Sequence, residues 1–273
     1  MSKLNLKLKT IKNRALAWAK GSACLFFIVL SSSFQLHKDV IAPIEDENYD
    51  GNKLVTLHSQ EFSAFSNRVH RQITYNGADT ISVGLLEKAL RGYMYLKHTE
   101  TLTNPNYLTI LNFEKSSKQK RLWVLDMESK TIIFNELVAH GKNTGDEFAK
   151  YFSNSHSSHK SSLGFYITGG TYHGSKNLSL KLNGLEQGFN SNAFTRGVVI
   201  HGANYVNEQI VAGNQRIGRS YGCPAVSHTV NKALVNTIKG GSCLFIYHPT
   251  PKYLENSKIV NANLYLTVDD LSI

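Results

Sequence analysis

Cysteine, proline and charged residues are all scarce in this chain of 273 residues. Its three cysteines, Cys24, Cys223 and Cys243, are too few for a disulfide-stapled scaffold and lack the CxxC spacing typical of zinc or redox sites. With only 5 prolines and 20 glycines, a collagen-like or low-complexity chain is excluded. Charged residues make up 18% and hydrophobic residues 41%, which is unlike a disordered chain. The composition therefore predicts a globular protein.

Positive charge is concentrated at the amino terminus. The net charge is +10, but the segment 1–33 contains no acid and six basic residues, namely Lys3, Lys7, Lys9, Lys12, Arg14 and Lys20. The remainder has 24 Lys and Arg against 20 Asp and Glu. It has no dense basic run interleaved with aromatic residues, which argues against nucleic-acid binding. The mild excess fits a polyanionic surface or a substrate that carries carboxylates.

The segment 1–33 has the pattern of a secretory signal peptide. A basic stretch precedes an apolar run at 23–30, and three serines follow it. The run is shorter than the ~20 residues that a membrane-spanning helix needs. We therefore expect residues 1–33 to be a cleaved signal, so that the exported protein meets the membrane only transiently. An uncleaved anchor and a buried helix remain the alternatives.

The rest of the chain divides by its periodicity. Residues 34–104 are predicted to be a linker and a helical preface, because Val83, Leu86, Ala89, Leu90 and Tyr93 follow the spacing of an amphipathic helix. Beyond residue 104 β-rich segments predominate, and one helix is predicted at 230–239. The strands are predicted at 107–113, 121–126, 130–134, 164–168, 179–182, 197–201 and 242–247. The glycines of 164–174 are interpreted as turns beside a cleft. We predict a mostly-β catalytic domain over 105–250, a C-terminal segment over 251–273 and a short N-terminal helical region.

Residues 196–227 carry the chemistry. His201 and Gly202 end a predicted strand, and a loop then leads to Ser220, Gly222 and Cys223. A neighbouring imidazole lowers the pKa of a thiol and shuttles its proton, which makes cysteine a nucleophile. A glycine before the cysteine lets backbone N–H groups converge on the oxyanion of a tetrahedral intermediate. The segment therefore has the parts of an acyl-transfer site.

These motifs resemble the L,D-transpeptidase catalytic domain family of YkuD type. The resemblance rests on His201-Gly202 followed by Ser220-Tyr221-Gly222-Cys223, and the continuation Pro224-Ala225 is similar to a divergent branch of that family. Segments 138–141, 152–154, 161–166 and 180–185 resemble that branch too, so the likeness covers about 105–250. It implies a YkuD-like β-sandwich, peptidoglycan stem peptides as substrate, and the bacterial periplasm or cell envelope as location.

The resemblance also implies roles for single residues. Cys223 would be the nucleophile of an L,D-transpeptidase that forms a thioester, and His201 the general base and acid, oriented by the carbonyl of Gly202. Gly222 and Cys223 would supply part of the oxyanion hole, with Ser220 and Tyr221 in support. Tyr221 stands where many relatives have histidine, and Pro224-Ala225 replaces a branched residue followed by Arg or Asn. A substrate carboxylate would then be bound by an arginine, for which Arg196, Arg216 and Arg219 are the candidates. No metal or organic cofactor is implied.

Several alternatives stay open at this point. Hydrolysis of the thioester would make the protein an L,D-carboxypeptidase, and a loss of catalysis would leave a cell-wall binding protein. A Cys223–Cys243 disulfide would remove the nucleophile. A zinc site from His140, His173, His201 and Cys223 lacks paired short-spacing ligands. Papain-like and NlpC/P60 peptidases are disfavoured because in them cysteine precedes histidine in the chain.

Overall fold

The computed structural model describes residues 53–271 of the chain. The predicted signal peptide at 1–33 and the first part of the predicted linker lie outside this range. Within it, no helix has the length and apolar character needed to cross a bilayer.

Strands and short helices make up the described part of the chain. The strands are β1 (Leu54–Thr56), β2 (Tyr107–Asn112), β3 (Leu122–Asp126), β4 (Thr131–Glu136), β5 (Gly164–Gly174), β6 (Asn177–Gly184), β7 (Val199–Gly202), β8 (Ala225–Val226), β9 (Cys243–Tyr247) and β10 (Tyr265–Thr267). The helices are α1 (Gln60–Gln72), α2 (Val83–His98), α3 (Glu208–Ala212), α4 (His228–Ile238) and α5 (Pro251–Asn256), and a 3₁₀ turn follows at Asp269–Leu271. The prediction of a mostly-β fold with an N-terminal helical region is confirmed.

One sheet of eight strands forms the centre of the fold. Its order is β4-β3-β2-β9-β5-β6-β7-β8. The central pair β2 and β9 is parallel, with Leu108 opposite Cys243, and all five residues of β9 are buried. Strands covered on both faces have continuous apolar sequences, which explains why residues 243–247 are Cys-Leu-Phe-Ile-Tyr. Cys243 is therefore part of the core.

The two N-terminal helices pack on the same core as the sheet. The Ser59 side chain caps α1 by accepting the N–H of Phe62 at 3.1 Å. Helix α2 buries one face, including Leu86, Leu90 and Tyr93. Gly92 lies against the ring of Phe165 in β5, so closely that a side chain at 92 would overlap that ring.

Strand β5 differs from the prediction at its glycines. The glycines of 164–174 do not make turns, because β5 runs through them, and its register with β6 shifts between Thr168 and Thr171. Gly169 and Gly170 accommodate this bulge.

A separate two-stranded sheet pairs β1 with β10, Val55 opposite Leu266. These short strands lie at opposite ends of the described part of the chain and are too short for their pattern to be recognised.

Candidate functional site

Strand pairing brings the two reactive residues of the 196–227 segment together. His201 in β7 pairs in parallel with Ala225 in β8, and its backbone N–H donates to the carbonyl of Pro224 at 3.4 Å. Cys223 immediately precedes that proline. His201 and Cys223 line the same cleft, whose volume is about 260 Å³.

His201 has a defined orientation and proton position. Its side chain is 4% exposed, and Nδ1 lies 3.0 Å from the carbonyl oxygen of Gly202. Because a carbonyl only accepts hydrogen bonds, Nδ1 must carry the hydrogen, and Nε2 of the neutral ring then has a free lone pair. Burial lowers the pKa of His201. The neutral imidazole is therefore the resting form at neutral pH.

Cys223 is a free thiol that remains partly exposed. Its Sγ contacts the carbonyl oxygen of Gly197 at 3.6 Å. Burial raises the pKa of Cys223, an effect that the positive charge of Arg196 partly offsets. Cys243 is also free, it is fully buried, and burial raises its pKa as well. Cys223 is thus the accessible thiol of the two.

Internal hydrogen bonds hold residues 219–223, here called the cysteine loop. The hydroxyl of Ser220 donates to the carbonyl of Cys223 at 2.6 Å and accepts the backbone N–H of Gly222 at 3.0 Å. Gly222 has φ +125°, a conformation that favours glycine, and a Cβ there would lie 2.9 Å from the carbonyl of Lys160. The N–H of Gly222, predicted to serve an oxyanion, is therefore engaged by Ser220 in this structure.

The three candidate arginines occupy different places. Arg219 lines the cleft, and its Nη1 forms an ion pair with Asp146 at 2.7 Å. Arg196 lies behind the cysteine loop, where its guanidinium donates to the carbonyls of Ser153 and Lys160 at 2.8 and 2.7 Å. Arg216 donates to the carbonyl of its own neighbour Ile217 at 3.0 Å. Of the three, Arg219 is the one that lines the cleft, whereas Arg196 is the one whose charge acts on the Cys223 thiol.

Tyr221 forms part of the rim of the cleft. Its side chain is 69% exposed, the ammonium of Lys142 lies 4.6 Å from its ring centroid, and the His159 ring packs at 4.8 Å. A cation over an aromatic face is attracted by the ring quadrupole. Tyr221 thus presents an aromatic surface in the same cleft as the thiol.

Three further cleft residues were not found from the sequence. Tyr172 and Lys176 reach the cleft from the β5–β6 hairpin, and Tyr205 follows β7. Burial raises the pKa of Tyr205 to about 12, so this phenol stays protonated. Lys176 adds a positive charge that lowers the pKa of His201 further. The only signal for Tyr172 and Lys176 was their place near a predicted strand, which does not indicate a site.

His140 lies in the core, away from the cleft. Its Nδ1 accepts a hydrogen bond from the buried guanidinium of Arg121 at 2.8 Å. Burial, reinforced by Arg121, lowers the pKa of His140 to about 4. The backbone carbonyl of His140 accepts the N–H of Ser220 at 3.0 Å, so the strand end at His140 supports the cysteine loop. Across residues 53–271, no group of three His, Cys, Asp or Glu is arranged to hold a metal ion.

Comparison with protein families matches residues 77–247, more than half of the chain, to the L,D-transpeptidase catalytic domain. Similar solved structures include an L,D-transpeptidase from Mycobacterium smegmatis, with a TM-score of 0.34 and 10% identity over 52% of this chain and 59% of that chain. Those from Xylanimonas cellulosilytica and Stackebrandtia nassauensis have TM-scores of 0.31, at 13% and 16% identity. They cover 69% and 68% of this chain, and 94% and 76% of their own. The chain thus spans less than two thirds of the Mycobacterium smegmatis protein. Comparison with curated proteins found no match.

Proposed function

This chain belongs to the L,D-transpeptidase catalytic domain family, and we propose that it is a cysteine acyltransferase acting on the stem peptides of peptidoglycan. The observation that supports this most directly is the shared cleft of His201 and Cys223. In it, the Nδ1 hydrogen is directed to the Gly202 carbonyl, so that Nε2 is free to accept a proton.

The first half of the proposed reaction acylates the enzyme. Nε2 of His201 takes the proton of the Cys223 thiol as Sγ bonds to the carbonyl carbon of the L,D peptide bond of a tetrapeptide stem. The carbon–nitrogen bond of the resulting tetrahedral intermediate breaks, and His201 returns its proton to the departing D-alanine amine. A thioester on Cys223 remains. Burial lowers the pKa of His201 and raises that of Cys223, so both groups are favoured in their neutral forms before the reaction.

The second half transfers the acyl group. The amine of a neighbouring stem attacks the thioester carbon, His201 accepts a proton from it, and the carbon–sulfur bond breaks. The sulfur recovers its proton, and the two stems are joined by a new amide. Attack by water in place of the amine would give a shortened stem, which is the L,D-carboxypeptidase reaction.

The remaining site residues have supporting roles in this proposal. The Cys223 N–H stabilises the oxyanion, and Gly222 contributes its own N–H if Ser220 releases it. We assign the contact with a substrate carboxylate to Arg219, because it lines the cleft whereas Arg196 and Arg216 are not among its lining residues. Tyr221 provides an apolar face for the peptide.

The location proposed for the protein follows from the same function. Peptidoglycan lies outside the cytoplasmic membrane, so the enzyme must be exported to the bacterial periplasm or cell envelope. The basic and apolar pattern of residues 1–33 fits such export.

Mass spectrometry of the purified protein incubated with a carbapenem tests the nucleophile. We expect a stable adduct on Cys223 that is absent in Cys223→Ala, strongly slowed in His201→Ala, and unchanged in Cys243→Ala provided that variant folds. Incubation with defined tetrapeptides then separates cross-linked dimers from trimmed stems. An unmodified Cys223 in a protein that still binds sacculi would contradict the proposal and favour a binding protein.

A further inference from the structure

A second cavity of about 260 Å³ lies next to the cysteine loop but shares no lining residue with the cleft. Three lysines, Lys150, Lys160 and Lys252, line it together with residues that include Tyr151 and Phe189. It is called the lysine pocket below.

The charge of the lysine pocket has one sign. Its lining contains no Asp or Glu, and among residues 53–271 no carboxylate lies within 4 Å of any of the three ammonium groups. A concave surface lined by charges of one sign concentrates the opposite ion. The pocket is therefore suited to an anionic group.

The rest of the lining is largely apolar and aromatic. Phe152, Leu163, Phe189 and Tyr253 form the wall, and the ammonium of Lys160 lies 5.7 Å from the ring centroid of the exposed Tyr151. Most small-molecule and peptide sites combine such a wall with a few polar groups that fix orientation. A carboxylate at the end of an aliphatic peptide fits this combination better than a free inorganic ion.

The lysine pocket and the cysteine loop share a structural support. The backbone carbonyls of Ser153 and Lys160, which line the pocket, accept hydrogen bonds from Arg196. Arg196 in turn lies close to Gly222 in the cysteine loop. The side chain of Arg196 thus connects the lysine pocket with the cysteine loop.

We propose that the lysine pocket is a second binding site, for the terminal carboxylate of a peptide. The identity of that peptide as a stem of peptidoglycan rests on the proposed function, whereas the carboxylate specificity rests on the pocket alone. The site would hold the polymer while Cys223 acts on another stem.

Nuclear magnetic resonance titration tests this site separately from the cleft. The probes are an N-acetylated tetrapeptide ending in the D-alanine carboxylate, the same peptide as its C-terminal amide, and inorganic phosphate. The protein carries Cys223→Ala, so that no turnover occurs, and the amides of Leu163 and Gly188 report on the pocket. We expect the acid to shift these resonances with an affinity at least about tenfold above that of the amide.

The matched variants decide the result. Lys150→Gln with Lys252→Gln should weaken binding of the acid at least about tenfold, whereas the exposed pair Lys232→Gln with Lys258→Gln should leave it unchanged. The proposal would be overturned if the acid and the amide bound with equal affinity, or if the variant with Lys150→Gln and Lys252→Gln bound the acid as tightly as the parent. Phosphate binding as tightly as the peptide would overturn it too. The titration needs no thiol, so its outcome is independent of the carbapenem experiment. The pocket can bind the peptide even if Cys223 is not acylated, and Cys223 can be acylated even if the pocket binds nothing.

Discussion

The hydroxyl of Ser220 donates a hydrogen bond to the backbone carbonyl of Cys223 across 2.6 Å. The same oxygen accepts the N–H of Gly222, so one buried side chain closes the cysteine loop from within. The carbonyl of Gly222 is held from outside by the hydroxyl of Ser161 at 3.0 Å. The backbone that carries the thiol is therefore fixed by two serines, and a fixed nucleophile needs less reorganisation to reach its substrate.

Replacing Ser220 by alanine should lower both stability and reactivity. Two backbone groups would lose their partner, which we expect to cost about 1–3 kcal/mol in the free energy of unfolding. Acylation of Cys223 should slow by about tenfold or more, because the loop can move. Urea unfolding and the carbapenem acylation rate measure the two effects. Ser227→Ala removes a hydroxyl whose only hydrogen-bond partner among residues 53–271 is the exposed Thr229, and it should change neither. A lower free energy of unfolding together with an unchanged acylation rate would contradict the role of Ser220 in positioning Cys223.

The alkylation of Cys223 should require unusually alkaline pH. Only the thiolate reacts, and burial raises the pKa of this thiol. The iodoacetamide rate should therefore reach half its maximum above the ordinary cysteine value of about 8.5. The positive charge of Arg196 lowers the pKa, so Arg196→Gln should move the midpoint higher still, and Arg196→Lys less so.

Circular dichroism establishes that the Arg196 variants are folded. The same protein alkylated in denaturant provides the reference, because there the midpoint should return to the ordinary value. A native midpoint below about 8.5 would mean that a thiolate–imidazolium pair already exists at rest.

The sequence predicted the core strands well because their physical cause is local. Residues 243–247 form a continuous apolar run and residues 107–112 are mostly apolar, and both segments are strands of the central sheet. The amphipathic spacing around Leu86 and Leu90 predicted α2 for a similar reason. The pairing of β1 with β10 depends instead on contacts between short segments that are distant in the chain. Such pairing leaves no periodicity to detect.

The site was only partly accessible to sequence reasoning. Placing His201 and Cys223 together needed the spacing of a motif, and the pairing of β7 with β8 is consistent with it. The arginines could not be ranked, because all three have the same chemistry and only their partners differ. Arg196 is turned to the carbonyls of Ser153 and Lys160, which come much earlier in the chain. Lys176 and Tyr172 reach the cleft through a bulged hairpin, a geometry that no local pattern encodes.

Two glycines in α2 should respond oppositely to alanine. A methyl group at Gly92 would overlap the ring of Phe165, whereas at the exposed Gly84 it meets only the end of the Lys88 side chain at 3.9 Å. Gly92→Ala should therefore destabilise the protein by about 1–3 kcal/mol. Gly84→Ala should stabilise it by about 0.4–1 kcal/mol, since alanine restricts the unfolded chain. Denaturant unfolding compares them directly, and equal effects would show that α2 does not pack on β5 as described.

Acid should destabilise the fold through His140. Burial lowers the pKa of His140 to about 4 in the native state, against about 6.5 in the unfolded chain. Between these values the unfolded state binds a proton that the native state does not. Stability is therefore lost as pH falls from about 6.5 towards 4, by roughly 2–3 kcal/mol at pH 4.5.

His140→Asn removes this titration while keeping an acceptor for the Arg121 guanidinium, whose bond to Nδ1 spans 2.8 Å. The variant should lose less stability than the parent between pH 7 and pH 4.5, by that same amount of roughly 2–3 kcal/mol. Urea unfolding at the two pH values measures the difference, and His156→Asn, at an exposed histidine, should behave as the parent does. Since the carbonyl of His140 holds Ser220, acid should also slow acylation of Cys223 before global unfolding. Parallel pH profiles of His140→Asn and the parent would rule out a native histidine kept neutral by burial beside Arg121.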